Sequence, residues 1–352
     1  MGKVTGIAYA DSTINPVVGC AGCGLYNADA DKNLCYAATM VRRYAGCKGW
    51  PKSFTQPEFF EGRLEQALRW PDLTGTDRPD KPWLNGMPRV VFLCDLGDIF
   101  APNAPDPAKW LAPRLGDLAA SPHIWLILTK WPQRMSAFFK GTPGSVPKNV
   151  WPGTTITGPE TGWRLGELAR VGAEMSGVMR WLSLEPLLGR VSLGEHSSCG
   201  YYCSESAGHV DHQFLAARIR GPIKWVVVGG ASGRNAPPMH PDWTRLVRDE
   251  CELAGVPLFF KQWGEWVPES QINRDDPRHW PKFSSARFGT IDVKGNWRAE
   301  MYPGKLPIFG QECVYNLGRG DAGSVLDGLV WHVMPTRVAL FISCRACAGW
   351  EC

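Results

Sequence analysis

The stretch from Asn15 to Met40, NPVVGCAGCGLYNADADKNLCYAATM, places Cys20, Cys23 and Cys35 in one loop rich in Gly and Asn. The loop follows a short apolar run and precedes a helix start, CYAATMVRRYAG. Thiols gathered in this way form disulfides, attack electrophiles or bind soft metals. Twelve Cys in 352 residues are too sparse for a disulfide scaffold of this length. The N-terminal residues MGKVTGIAYADST hold no signal-peptide core, and no run reaches the ~18 apolar residues of a membrane span. The expected setting is the cytoplasm, where thiols stay reduced, with no membrane partner. Metal binding is then the leading expectation. Three thiolates can hold a [4Fe–4S] cluster and leave one iron open for a small ligand. The other reading is a structural zinc, which needs a fourth ligand, and Cys47 is the nearest in sequence.

A second constellation, Cys199-x3-Cys203-x5-His209-x2-His212, lies in a polar stretch between two apolar runs. Four ligands within fourteen residues satisfy a tetrahedral zinc in count, and a small insert without its own core would gain stability from it. An insert with incidental cysteines is the alternative. The tail CRACAGWEC carries Cys344, Cys347 and Cys352 with no fourth ligand nearby, so no site is assigned to it. Cys94, Cys251 and Cys313 read as core or unpaired thiols.

The elements that must position the thiols repeat one pattern, in which a short apolar run ends in polar residues and a helical stretch follows. RVVFLCDLGD ends at Asp95 and Asp98, IWLILTKWPQRM at Thr129 and Lys130, and VWPGTTIT at Thr155 and Thr157. MRWLSLEPLL ends at Ser183 and Glu185, IKWVVVGGASG at Gly229, Gly230 and Ser232, and PLFFKQWGEW at Lys261 and Gln262. Nearly all-apolar strands alternating with helices predict a parallel sheet covered on both faces. Six such strands, plus GIAYA before the Cys loop, suit an α/β fold built as a full or partial (β/α) TIM-type barrel; an open doubly wound sheet is the competitor. In a barrel the strand ends share one mouth, and Asp95, Lys130, Thr155, Glu185, Ser232 and Lys261 would ring it beside the Cys loop. The expected organisation is a barrel over 1–266, with the Cys loop at 15–40 and the Cys/His insert at 194–221, followed by an extension over 267–352. Phe59, Phe60, Leu64, Ala67 and Leu68 predict a helix over 54–70.

The motifs NPVVGC…CYA, VVFLCDLGDIF, LTKWPQRM, WLSLEPLLG, VVVGGASG…PMHPDW and VPLFFKQWGEW resemble, in order, those of the phage-associated three-Cys-motif protein family. That family in turn resembles divergent radical SAM enzymes. The resemblance implies that Cys20, Cys23 and Cys35 hold a [4Fe–4S] cluster whose open iron is chelated by S-adenosylmethionine. It implies reductive cleavage of that cofactor to a 5′-deoxyadenosyl radical, with an electron donor such as a flavodoxin or ferredoxin as partner. Tyr36 would neighbour the last ligand, and Gly229, Gly230, Ser232 and Thr155 would border the cofactor. Glu185, Lys130 and Asp95 are the expected catalytic or substrate-binding residues; as a bland alternative, they form an ion network that stabilises the barrel mouth. The short gap between the thiols comes first here and the long one second, the reverse of the family's usual order.

A net charge of +4 permits a nucleic-acid partner, and some of the seventeen Trp could stack bases while most fill the core. Arg134 and Arg164 could contact phosphate. With the phage association, these features make DNA the expected substrate, for repair of a base lesion or modification of a base. Two other classes stay open: a metal-stabilised nucleic-acid-binding protein without turnover, and a radical enzyme acting on a small molecule or a protein.

Overall fold

The computed structural model describes residues 5–142, 146–175, 177–194, 219, 221–272, 286–300 and 310–335. Seven strands pair in parallel and in chain order: β1 (Ser12–Ile14), β2 (Val90–Leu93), β3 (Ile124–Thr129), β4 (Val150–Thr155), β5 (Trp181–Leu184), β6 (Trp225–Gly229) and β7 (Leu258–Gln262). Six of these are the runs read from the sequence. The first is not GIAYA but the three residues after Asp11. Gly6–Ala10 instead folds into a turn whose carbonyls are taken by side chains: Lys81 Nζ donates to Thr5, Ile7 and Ala10 at 2.9, 2.8 and 2.6 Å, and Trp83 Nε1 donates to Ala8 at 2.9 Å. With its backbone satisfied in this way, the segment needs no ladder.

Side chains alternate across each strand and divide the core in two. Outward, Val91, Leu93, Trp125, Ile127, Leu182, Val226 and Phe260 pack with the covering helices. Inward, Phe92, Leu126, Trp151, Trp181, Trp225 and Phe259 pack around Tyr9. The Tyr9 ring lies 6.4 Å from Phe92 on β2 and 5.7 Å from Phe259 on β7. One ring touching strands near opposite edges means that the sheet curls, so the fold is a parallel α/β half-barrel. Gly153 is part of that fit, because a Cβ there would meet the Trp181 indole at 2.5 Å.

The sequence-predicted helix over 54–70 is shorter in the structure, Arg63–Leu68, and begins after Gly62. Glu58–Phe59 pairs instead with Val17–Val18, which ties this segment to the base of the Cys loop. The helix Pro241–Ala254 buries Trp243, Val247, Cys251 and Ala254.

After β7 the chain forms an antiparallel sheet in the order β8 (Trp266–Pro268), β11 (Gln311–Asn316), β9 (Arg287–Asp292), β10 (Trp297–Glu300). Buried indoles hold this region to the half-barrel. Trp225 Nε1 donates to Val333, Trp243 Nε1 to Val293 and Trp263 Nε1 to Val325 at 3.0, 2.7 and 2.8 Å. The chain then returns along the edge of β7. Phe260 N donates to Trp331 at 2.8 Å, His332 bridges Phe259, and Met334 enters the inner core.

His332 stacks on Phe259 at 4.5 Å and meets Trp83 edge-on at 4.2 Å, with neither ring nitrogen hydrogen-bonded among the described residues. Burial lowers its pKa from 6.5 to about 4. The folded state therefore favours the neutral ring, and the stability this gives is complete above pH 6.5 and lost as pH falls toward 4. Thermal melting should show wild type losing stability across that window, with His332→Phe losing less. Equal acid sensitivity in the two proteins would refute this role for His332.

Candidate functional site

The C-terminal ends of β1 to β7 share one mouth, and the Cys loop leaves β1 into it. Gly19, at φ 100°, lies where a Cβ would strike the Phe54 carbonyl at 2.8 Å, and it bridges Gly97 in the loop after β2. Only glycine serves at this crossing. It fixes Cys20, whose N–H donates to Phe54 at 2.7 Å. The long gap between Cys23 and Cys35 is folded by Asn33, which accepts from Asn27 N at 3.1 Å and donates to the Cys35 carbonyl and Thr39 Oγ1 at 2.9 and 3.1 Å. Cys35 caps the helix Tyr36–Tyr44, its Sγ accepting from Ala38 N at 3.5 Å.

The three thiols face common charges. Burial pushes the Cys20 thiol up to about 12, with Asp98 and Cys23 raising it further and Lys130 opposing. Burial also raises Cys35, within electrostatic reach of Lys130 and Cys23. Arg164, lowered by burial, is within reach of Cys23 and Asp98. The loop thus brings its thiols to two cations on the barrel. Cys47 is exposed beyond the helix. Among the described residues no three His, Cys, Asp or Glu side chains converge as ligands of a single metal ion.

Of the expected catalytic carboxylates, Glu185 is the centre of a network. Its Oε2 accepts from the Tyr9 hydroxyl at 2.9 Å and from Ser183 Oγ at 3.4 Å, and its Oε1 pairs with Lys261 Nζ at 2.8 Å. Lys261 also lies 5.6 Å over the Tyr9 ring. Burial first, and Glu185 second, raise the Tyr9 pKa well above its ordinary value. Asp95 is held by Asn15 Nδ2, which donates at 2.6 Å; burial raises its pKa, and it lies within electrostatic reach of Tyr9. Lys130 donates its backbone N–H to Asp98 Oδ2 at 2.8 Å, and its ammonium is within electrostatic reach of Asp98, Cys20 and Cys35. Asp98 also accepts from Thr129 Oγ1 at 2.8 Å and Phe100 N at 3.0 Å, so this buried carboxylate clamps the loop after β2 to the end of β3.

The residues expected to border a cofactor divide by position. Gly229 lies against Glu185, where a Cβ would come within 3.0 Å of Oε1. The space beside Gly230 is filled by the chain itself, since a Cβ there would meet the Trp263 carbonyl at 1.8 Å. Ser232 is exposed on a loop that reaches the Cys loop, where Asn235 Nδ2 donates to Ala30 at 3.1 Å. Tyr36 is 58% exposed beside the last thiol, within reach of Asp95 and Arg319. Thr155 is buried with its hydroxyl unpartnered among the described residues. Arg134 donates to the Phe100 carbonyl at 2.9 Å and is taken up in structure. Cys199, Cys203, His209 and His212, like the Cys tail, lie outside the described residues.

Tyr9 is the participant that sequence reading missed, because GIAYA reads as a strand. Lys261 was visible as the inward residue two after Phe259, but nothing in sequence couples it to Glu185. Breaking a largely buried pair leaves one charge uncompensated, so Lys261→Met should cost about 3 kcal/mol in urea unfolding. The double variant with Glu185→Gln should recover part of that loss. A single-variant change within about 0.5 kcal/mol would mean that the pair contributes nothing beyond a surface contact.

No curated protein and no solved structure matches the chain. A model of a protein family of unknown function, DUF5131, matches residues 4–335. With 4–335 matched, the chain belongs to that family.

Proposed function

We propose that the chain is an iron–sulfur enzyme of radical SAM type, with Cys20, Cys23 and Cys35 holding a [4Fe–4S] cluster, and that it acts on DNA. The observation that carries this reading is the placement of three thiols, on one loop, at the mouth of a parallel half-barrel and within electrostatic reach of Lys130 or Arg164. The donor set fits the group. Three soft thiolate donors suit iron and sulfide, and three ligands would leave one iron of a cube open for a small ligand. Burial keeps Cys20 and Cys35 protonated at neutral pH in the metal-free chain, so loading releases protons and is favoured as pH rises.

When bound, the cluster and S-adenosylmethionine would supply a radical able to take hydrogen from a substrate. The chain's own residues divide the remaining work. Lys130 offsets thiolate charge beside Cys20 and Cys35. Gly229 leaves room beside Glu185, and Ser232 and Tyr36 border the opening. Glu185, held by Tyr9 and Lys261, presents a fixed hydrogen-bond acceptor at the mouth, suited to a ribose hydroxyl or a substrate proton. Asp95 is a second, separately held carboxylate.

Support for a DNA substrate comes from the mildly basic charge and from exposed Tyr36 and Trp163 near cations. Anaerobic reconstitution with iron and sulfide should give about four irons per chain in the wild type. Cys20→Ala, Cys23→Ala and Cys35→Ala should each lose the cluster. Full iron and sulfide in any one variant would remove that residue from the ligand set and make Cys47 the next to replace; zinc alone in the wild type would overturn the reading.

A further inference from the structure

Two buried polar atoms at the mouth have no partner among the described residues: Arg164 Nε and Thr155 Oγ1. Thr155 is 1% exposed and lies at the end of β4, on the same side as Trp151 and Gly153, so its hydroxyl belongs to the inner face. Arg164 Nη1 donates to the Thr155 carbonyl at 2.8 Å, which ties the guanidinium to the same residue. A buried donor left unmade is costly, and a ligand or an ordered water must complete it. The guanidinium offers a planar fork suited to a phosphate or carboxylate oxygen. Its neighbour Trp163 is 44% exposed, with the Arg164 guanidinium 5.7 Å from the ring.

From this we infer a nucleotide subsite on the rim: Arg164 and Thr155 bind a phosphate of the substrate, and Trp163 stacks its base. A hydroxyl and a guanidinium edge approaching from different directions suit a tetrahedral oxyanion, and an exposed indole beside them supplies the flat face that a base uses. This assigns Thr155 to the substrate and not to the cofactor. It rests on the reading of DNA as the substrate and extends it to one nucleotide unit at the mouth.

The test is fluorescence anisotropy of a labelled single-stranded oligodeoxynucleotide with the reconstituted chain, over a range of salt, beside equilibrium dialysis of S-adenosylmethionine. Arg164→Gln should weaken oligonucleotide binding about tenfold and lower the salt slope by about 0.7. Thr155→Val, which keeps the carbonyl that anchors Arg164, should weaken it in the same direction. Trp163→Ala should weaken it roughly tenfold with the slope unchanged. S-Adenosylmethionine binding by Trp163→Ala should match that of wild type. An oligonucleotide affinity unmoved by Arg164→Gln, or a loss confined to S-adenosylmethionine, would overturn the subsite. Wild type that binds S-adenosylmethionine and no oligonucleotide would overturn it too, while leaving the radical reading standing.

Discussion

The half-barrel depends on how its concave face is filled. A parallel sheet with helices on its outer face must still bury its inner residues, and seven strands do not close on themselves. Tyr9 solves this from outside the sheet: its ring lies 5.9 Å from Trp181 and 5.4 Å from Trp225, each approached edge-on, and it also meets Phe92 and Phe259. Edge-to-face contacts of this kind add to plain burial and fix ring orientation. A hydroxyl carried to such a place must be bonded, and Glu185 accepts it. A carboxylate brought there must be compensated, and Lys261 does so. The apolar plug and the polar mouth are therefore one construction. Each step is forced by the burial cost of the one before.

The same logic explains the second half of the mouth. Asp98 is buried and satisfied by Thr129, Lys130 and Phe100, which fixes the loop after β2 and keeps Lys130 within electrostatic reach of Cys20 and Cys35. Gly19 and Gly97 then let the Cys loop cross that segment at backbone contact. A loop rich in Gly and Asn acquires a defined path because it is held at this crossing, at Asn33 and at the cap formed by Cys35, and because Cys20 and Tyr26 join a small apolar cluster with Ala38, Val41 and Phe54.

Six of the seven strands were legible because strands apolar on both faces are punctuated by polar residues at one end, and those residues do line one mouth. The first strand was displaced because an apolar pentapeptide such as GIAYA carries no mark separating a strand from a turn; the deciding atoms belong to Lys81 and Trp83, far along the chain. The helix over 54–70 was overextended because Phe59 and Phe60 fit a helical period while Glu58–Phe59 finds a ladder partner in Val17–Val18. Glu185, Lys130 and Asp95 were legible as strand-end residues. Their division into a Tyr9 and Lys261 network, an ammonium within electrostatic reach of Cys20 and Cys35 and an Asn15-held carboxylate was not, since pairing across a barrel leaves no local pattern.

The central claim is that the thiol loop at this mouth holds a cluster that reduces S-adenosylmethionine. The most direct measurement is chromatography for 5′-deoxyadenosine after the anaerobically reconstituted chain meets dithionite and S-adenosylmethionine. The account predicts that 5′-deoxyadenosine and methionine form together in wild type. A chain holding its full iron and sulfide that forms neither would contradict it.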